Sequence, residues 1–412
     1  MTVQSAPIPE TPASARDTGK GLVSVVGGIV RKFGMLVALV VTMVFFQIAT
    51  DGTMLTPQNL TNVFLQNGYI IVMALGMLLV IVSGNIDLSV GSVAAFTGAI
   101  AAVLMVDYKV DPLLSSAAAL VIGGLIGAWS GFWVAYMRIP SFIVTLSGLL
   151  LFRGLTLFML NGQPVGPFPE GFRAIASGFI PELIGTFQDP FGPKELRLTT
   201  LAVGGLLCVG LIVLDLSARR EQIKYGFQVP SFRQFVIPRV ILVFAIMFLA
   251  YRLAAFNGLP VVLALLLVLI AIYMFVTNRT VIGRRIYAVG GNAKAATLSG
   301  VKSKQMIFLT FVNMGVLAAL GGLVFAARIN SATPKAGDGF ELDVIAATFV
   351  GGASAYGGVG TVSGTVIGAL FLGVLNIGMG LMGIGIDYQF SIKALVLLFA
   401  VFIDVRGKNK DA

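Results

Sequence analysis

The residues best suited to chemistry in this chain are ionisable side chains inside long apolar stretches. Asp87 lies in the segment SGNIDLSVGS, and Glu341 and Asp343 lie at the start of a second apolar stretch, FELDVIAA. Arg153 and Lys393 are basic residues within apolar runs. If these stretches cross a membrane, charged groups in them face protein or a water-filled path. We therefore interpret the five residues as members of a transport pathway or as paired structural charges.

Asp87 has two interpretations, which the sequence leaves open. The Gly, Ser and Asn residues around it predict a broken helix, and broken backbone is tolerated at membrane depth only where protein or water satisfies it. Asp87 either lines the pathway or caps the helix that follows. The stretch that begins at Glu341 faintly repeats the arrangement, LDVIAA against IDLSVG. Paired broken helices of this kind point to the transport site in membrane transporters.

Arg153 and Lys393 are expected to pair with carboxylates rather than to contact a solute. An unpaired charge at membrane depth costs about 3 kcal/mol or more. Asp404, Asp87 and Glu341 are the carboxylates that we expect as their partners.

Composition places these residues in a membrane. The chain of 412 residues is 57% hydrophobic and 11% charged, with a mean hydropathy of +0.95, which is outside the range of soluble globular proteins. It has no His and one Cys, and it lacks the GxxxxGK[ST] phosphate loop. We predict no catalytic residue, no metal and no cofactor. The net charge of +10 is explained by basic cytoplasmic loops rather than by nucleic-acid binding.

Apolar runs predict an all-α, polytopic integral membrane protein with about twelve transmembrane or partial spans, some broken or re-entrant. Gly123, Gly127 and Gly131 are spaced by four, which predicts close helix packing along one face. The runs lie near residues 33–50, 65–83, 88–106, 114–136, 141–160, 197–217, 236–254, 259–277, 306–328, 361–382 and 388–405, with a partial span at 341–352.

The basic residues predict the orientation. Most of the 28 lysines and arginines fall on one side of the predicted spans, which assigns that side and both chain termini to the cytoplasm. The predicted organisation is a cytoplasmic tail at 1–32, a transmembrane domain at 33–405, an external loop at 161–196, cytoplasmic loops at 218–234 and 278–305, and a cytoplasmic tail at 406–412.

The loop at 278–305, which we call the polar insert, is basic and contains no acid. Asn292 is suited to begin a short helix and Gly300 to end it, which predicts a helix over 293–298. Charge bias alone explains Arg284 and Arg285, but it does not explain the apolar, capped AKAATLSG. We expect this helix to seat in a groove on another protein.

Several ordered motifs between Thr50 and Asp404 resemble those of the permease subunits of bacterial ATP-binding-cassette importers for monosaccharides, the ribose and xylose type. They are GNIDLSVGS, PSFIVTL with FRG, GRRIYAVGGNAKAATLSG, and ELDVIAA with the glycine pairs after it. An extra pair of spans around 214–257 and the sequence TDG at 50–52 look more like the D-xylose or multiple-sugar branch.

The resemblance implies a multi-pass subunit of the bacterial inner membrane that carries a monosaccharide and is not itself an enzyme. Its implied partners are a cytoplasmic ATPase, a periplasmic sugar-binding protein, a second copy of the permease and membrane lipid. The implied ATPase-coupling residues are Gly283, Arg284, Arg285, Gly290, Gly291, Asn292, Ala295, Ala296, Leu298, Ser299 and Gly300.

The expected pathway residues are Asn85, Asp87, Ser89, Ser92, Glu341, Asp343 and Asn376. Among them the asparagines and serines are favoured as lining groups, because a neutral sugar needs hydrogen-bonding partners rather than charge. The alternative function is an ion-coupled secondary transporter that uses Asp87 or Asp343 as its coupling carboxylate.

Overall fold

The computed structural model of the chain describes residues 18–190, 195–227, 229 and 232–408, with side chains described from 34 to 402 apart from the same gaps and 232–233. The described part is a bundle of helices with one small hairpin. The helices are α1 Thr18–Ala49, α2 Pro57–Val82, α3 Val90–Ala102, α4 Pro112–Ala135, α5 Ser141–Met159, α6 Glu170–Ser177, α7 Leu198–Lys224, α8 Phe232–Ala254, α9 Val261–Arg279, α10 Val281–Gly291, α11 Ala293–Leu298, α12 Ser303–Ile329, α13 Phe340–Val350, α14 Val362–Leu381 and α15 Ile386–Lys408.

The prediction of a polytopic all-α membrane protein is confirmed. Within the described ranges, nine helices are long and apolar enough to cross a membrane: α2, α3 with the π-helical turn Val103–Asp107 that continues it, α4, α5, α7, α8, α9, α12 and α14. The apolar part of α1, the short α13, and α15 correspond to the other three predicted spans.

The loops contain more regular structure than the sequence suggested. The segment predicted as the external loop, which keeps that name below, includes α6 and the antiparallel pair β1 Thr186–Gln188 and β2 Glu195–Arg197. Helices α7 and α8 extend into the segment expected as the loop 218–234, and leave a short connection. Helix α1 begins within the expected tail 1–32, of which 1–17 lie outside the described residues, as do 409–412 of the C-terminal tail.

Helix α2 forms the centre of the bundle because its residues 70–82 are apolar on every side. In the most apolar window of α2, 89% of the residues are buried, against 11% in α7 and 6% in α8. A helix without a polar face needs neighbours all round, and α9, α12, α13 and α14 supply them. Helices α7 and α8 pack mainly on each other and form a peripheral pair.

The glycine face of α4 packs closely against another helix, as predicted, and that helix is α12. A β-carbon at Gly127 would overlap the carbonyl oxygen of Phe311, and one at Gly131 would lie 3.0 Å from the carbonyl oxygen of Phe308. A β-carbon at Gly123 would crowd Gly315 in the same way. Small residues therefore allow the two backbones to approach closely.

The external loop is fastened to the bundle rather than extended into water. Val165 forms an isolated bridge with Ala332, and the backbone N–H of Phe168 donates to Oδ1 of Asn330 at 2.9 Å. The side chain of Phe172 on α6 is 1% exposed. The loop thus covers the end of α12 that lies away from the polar insert.

Candidate functional site

The first broken helix lies between α2 and α3. Oδ1 of Asp87 accepts hydrogen bonds from the backbone N–H of Ser89 at 2.8 Å and from the Ser89 hydroxyl at 2.6 Å. The Ser92 hydroxyl donates to the carbonyl of Ser89 at 2.8 Å. All three side chains are buried. This arrangement satisfies the Ser89 amide and the two hydroxyl groups, so the geometry of Asp87 is that of a buried carboxylate near a helix N-terminus.

The second break precedes α13. Residues 330–339 turn back from the end of α12, and Gly337 and Gly339 adopt positive φ angles of 78° and 76° there. Helix α13 has 11 residues and a length of about 16 Å, roughly half the hydrocarbon core of a bilayer. It is therefore a half-helix that spans only part of the membrane, as the sequence predicted for this stretch.

The two breaks meet at their helix N-termini. A β-carbon at Gly91, in the first turn of α3, would overlap the carbonyl oxygen of Gly337 and lie 2.6 Å from Oε2 of Glu341. That Oε2 atom is buried and has no hydrogen-bond partner in the described part of the chain. Helix N-termini carry partial positive charge, so the junction of α3 and α13 holds unsatisfied hydrogen-bonding capacity in a confined space.

Two ion pairs hold the start of α13 from opposite sides. Arg153 of α5 pairs with Asp338, and Nζ of Lys393 on α15 lies 2.9 Å from Oδ1 of Asp343. The expectation that both basic residues pair is met, but two of the expected partners were wrong. Asp87 and Glu341 do not form these pairs, because Asp87 is bonded to Ser89 and the acids at 338 and 343 lie closer to the bases.

The third expected partner, Asp404, has a side chain outside the described residues. Sequence reasoning missed Asp338, which stands between two glycines just before the stretch FELDVIAA. Spacing alone does not decide which of three neighbouring acids faces which base, since the turn at 330–339 sets their directions.

Asn376 lies away from the junction of α3 and α13. Its Nδ2 donates to Oδ1 of Asn67 at 3.4 Å, which joins α14 to α2. Asn85, by contrast, is half-buried in the first break, where its Nδ2 donates to the Ser83 hydroxyl at 3.1 Å. The expected pathway residues therefore fall into two groups, and Ser89 and Ser92 are closed off by local hydrogen bonds.

The polar insert forms two short helices in the described structure, α10 and α11. Oδ1 of Asn292 accepts from the backbone N–H of Ala295 at 2.9 Å, which caps α11 as predicted. Gly300 has a φ of 83° and ends the segment, also as predicted. These contacts make α11 a defined element rather than an unstructured basic loop.

The two faces of the polar insert differ sharply. Leu298 is 89% exposed, and Arg284 and Arg285 on α10 are exposed as well. The exposed members also include Gly291, Asn292, Ala295, Ser299 and Gly300. Ala296, in contrast, is 7% exposed and belongs to the main hydrophobic core.

Three residues of the expected coupling set therefore face the bundle. Ala296 and Gly283 are buried, and Gly290 packs against α2. A helix of six residues has one side against the membrane domain, and position 296 falls on that side. The sequence pattern of AKAATL did not reveal this, because Ala is compatible with either face.

The inner face of the insert contacts both broken helices. A β-carbon at Gly290 would overlap the carbonyl oxygen of Val82, the last residue of α2, and one at Gly357 would lie 2.9 Å from the carbonyl oxygen of Gly290. The backbone N–H of Gly358 donates to the same Val82 oxygen at 2.8 Å. We call this contact, with Gly84 beside it, the glycine junction.

Tyr287 adds a side-chain contact to the glycine junction. Its hydroxyl donates to the carbonyl of Gly360 at 2.8 Å, in the segment that connects α13 to α14. Burial raises the pKa of the Tyr287 hydroxyl, so the group remains a protonated donor at neutral pH. The polar insert is thus tied at once to the end of α2 and to the segment that connects α13 to α14.

Comparison with known proteins gives the family. Residues 59–403 match the model of the family described as branched-chain amino acid transport system / permease component. The chain is 36% identical over 380 residues to the xylose transport system permease protein of Haemophilus influenzae, covering 91% of this chain and 96% of that protein.

Two further relatives agree. The xylose transport system permease protein of Escherichia coli K12 is 35% identical over 379 residues, with 92% of this chain and 93% of that protein covered. The ribose import permease protein of the same strain is 37% identical over 349 residues, with 85% and 86% covered. No solved structure matches the chain. The resemblance found in the motifs is confirmed: this chain is a multi-pass membrane protein that belongs to the permease-component family of transport systems.

Proposed function

We propose that this chain is the membrane-spanning translocation subunit of an ATP-driven, binding-protein-dependent monosaccharide importer, with D-xylose or a related sugar as its solute. The names of the xylose and ribose permeases among its relatives support the solute class. The observation that carries the proposal is the glycine junction, which ties an exposed insert to both broken helices. A subunit moved by a partner needs such a link.

The proposed contact with the ATPase is the outer face of the polar insert. Leu298 is a large apolar side chain exposed to water at 89%, on a short capped helix. An apolar side chain in that position is suited to a pocket on a partner protein. Arg284, Arg285, Asn292, Ala295 and Ser299 would surround it at the rim.

The proposed pathway passes the junction of α3 and α13. A sugar presents hydroxyl groups, and the buried Oε2 of Glu341 is an acceptor without a partner among the described residues. Opening the contact between Gly91 and Gly337 would also expose Asn85, Asp87 and Ser89. Movement of α13 at the glycine junction is the step that we assign to this opening.

The proposed external partner is the sugar-binding protein. The external loop exposes Leu183, Ile184 and Phe187, at 77%, 62% and 57%, on the side away from the polar insert. Exposed apolar side chains on a fastened loop are suited to docking. We further propose that the permease forms a homodimer in the bacterial inner membrane, with both chain termini in the cytoplasm.

A crossed pair of variants tests the proposal in proteoliposomes that contain this chain, its ATPase and its binding protein. We expect D-xylose uptake to require ATP and all three components. Leu298→Asp should abolish ATPase association and retain binding-protein association, and Leu183→Asp should do the opposite. The two variants make the same chemical change on opposite sides, so each is the control for the other.

The contrary outcome is equally definite. Solute uptake by the chain alone, driven by an ion gradient and unaffected by Leu298→Asp, would replace the proposal with the ion-coupled secondary transporter. In that case Asp343→Asn should abolish coupling to the ion.

A further inference from the structure

An apolar groove between α7 and α8 has no part in the transport proposal. Its volume is about 620 Å³, within the range of roughly 300–1,000 Å³ that ligand pockets occupy. The two helices touch where Gly204 meets Ala250, and the groove begins on the side of that contact nearer the polar insert. Its apolar walls are formed by Ile212 and Leu216 of α7 and by Val236, Val240, Val243 and Met247 of α8.

The end of the groove nearer the polar insert is cationic. Nε of Arg239 donates to Oδ2 of Asp215 at 2.8 Å, and the guanidinium groups of Arg239 and Arg219 lie 4.2 Å and 4.5 Å from the centre of the Phe235 ring. Nη1 of Arg219 is buried and lacks a hydrogen-bond partner in the described ranges. The cluster therefore has two cations, one carboxylate and an unused guanidinium donor.

We propose that this groove binds an anionic phospholipid from the leaflet on the side of the polar insert. The phosphate would accept hydrogen bonds from Arg219, and Arg220 and Lys224 on the exposed end of α7 would add to the attraction. Guanidinium groups suit phosphate because their planar donors match its oxygens.

The dimensions of the groove favour a lipid chain over a protein helix. From Val236 to Met247, α8 advances about 16 Å, which is roughly half of the 30 Å hydrocarbon core and matches the acyl chain of one leaflet. The contact between Gly204 and Ala250 closes the groove beyond that depth. A transmembrane helix from a partner would have to continue past the closure.

Native mass spectrometry of the full-length chain, purified in detergent and supplied with either phosphatidylglycerol or phosphatidylcholine of the same acyl chains, tests the proposal. We expect preferential retention of phosphatidylglycerol by several-fold. Arg219→Gln should remove the preference, and Val243→Trp should displace both lipids while leaving the arginines in place. Lys109→Gln, an exposed cation at the opposite surface, and Val268→Trp, on the exposed face of α9, are the matched controls.

Thermal unfolding in the same detergent shows whether each variant is folded. If Arg219→Gln does not fold, the loss of lipid from Val243→Trp tests the proposal alone. Equal retention of the two lipids by the unmodified chain overturns the proposal. So does unchanged retention in the folded groove variants. Displacement of a second protein chain by Val243→Trp, in place of lipid, would also overturn it and assign the groove to a protein partner.

Discussion

Nζ of Lys393 on α15 lies 2.9 Å from Oδ1 of Asp343 on α13, with only 16% and 12% of the two side chains exposed. The pair joins the half-helix α13 to the last helix of the bundle. Together with Arg153 and Asp338 it fixes the direction in which the first turn of α13 points. The pair matters for stability because it is buried: a lone charge left at this position would have neither water nor a partner.

Breaking this pair should destabilise the protein strongly. Lys393→Met or Asp343→Asn alone is expected to lower the free energy of unfolding by about 3–5 kcal/mol, since each leaves polar or charged atoms buried without a partner. The double variant should lose less than the sum, as measured by denaturant titration in detergent. Lys335→Met, which removes an exposed lysine, is the control. Strictly additive losses would show that the two side chains are not coupled.

Two adjacent glycines in the polar insert should respond differently to the same substitution. Gly290→Ala places a β-carbon on the carbonyl oxygen of Val82, so α10 must move away from α2. We expect a loss of stability of about 1–3 kcal/mol from overpacking and a loss of ATP-driven uptake. Gly291→Ala has no neighbour within 4 Å of the new atom and should be nearly silent. Equal uptake by the two variants would remove the glycine junction from the mechanism.

The contribution of the Asn292 cap to the local stability of α11 should be measurable by hydrogen exchange. Asn292→Ala removes the acceptor for the Ala295 amide, and loss of an N-cap costs about 1 kcal/mol, equivalent to roughly a fivefold change in a local equilibrium. Hydrogen exchange at Ala295 should therefore accelerate about fivefold. Asn292→Asp retains the acceptor and should leave exchange close to that of the unmodified chain. Identical exchange in the alanine and aspartate variants would contradict the cap.

The hydrogen bonds that Glu182 accepts in the external loop should weaken in acid. Burial raises the pKa of this carboxyl, but hydrogen bonds from Thr199, Gly185 and Ile184 outweigh burial and lower the pKa to about 2, from an ordinary value of 4.5. A lowered pKa in the folded state gives stabilisation that is complete above pH 4.5. This stabilisation is lost as the pH falls towards about 2, because the form in which Glu182 has lost its hydrogen bonds takes up a proton at a higher pH than the folded form.

Hydrogen exchange at the Thr199 amide, corrected for the intrinsic rate, measures this effect between pH 6 and 2.5. Glu182→Gln should exchange faster than the unmodified chain above pH 4.5, and the difference should shrink as the pH falls. Glu170→Gln, at an exposed position on α6, is the control. A difference that does not vary with pH would assign the stabilisation to packing instead of to the carboxylate.

Orientation can be tested with single cysteines. The native thiol, Cys208, is buried, and Cys208→Ser provides a background for new sites. A membrane-impermeant maleimide should label Lys294→Cys only in inside-out vesicles and Lys109→Cys only from the periplasmic side. The reverse pattern would place the polar insert outside and remove its proposed contact with the ATPase.

The sequence by itself determined the class of molecule, the spans and the short helix of the polar insert. The thickness of the hydrocarbon core and the cytoplasmic bias of basic residues both act locally along a chain. Runs of about twenty apolar residues therefore predict spans whatever those spans pack against. The caps at Asn292 and Gly300 could also be predicted from the sequence, because a cap depends on residues within one turn of each other.

Only the tertiary structure decided which partner each intramembrane charge has and which face of α11 is free. Asp338 and Asp343 pair with Arg153 and Lys393 because the turn at 330–339 before α13 aims them, and no spacing along the chain encodes that direction. Ala296 and Leu298 are two residues apart in sequence but lie on opposite faces, one in the core and one in water. The difference depends on how α11 packs against α10 and α12, and α10 is itself placed by the contact of Gly290 with Val82, about two hundred positions away in the chain.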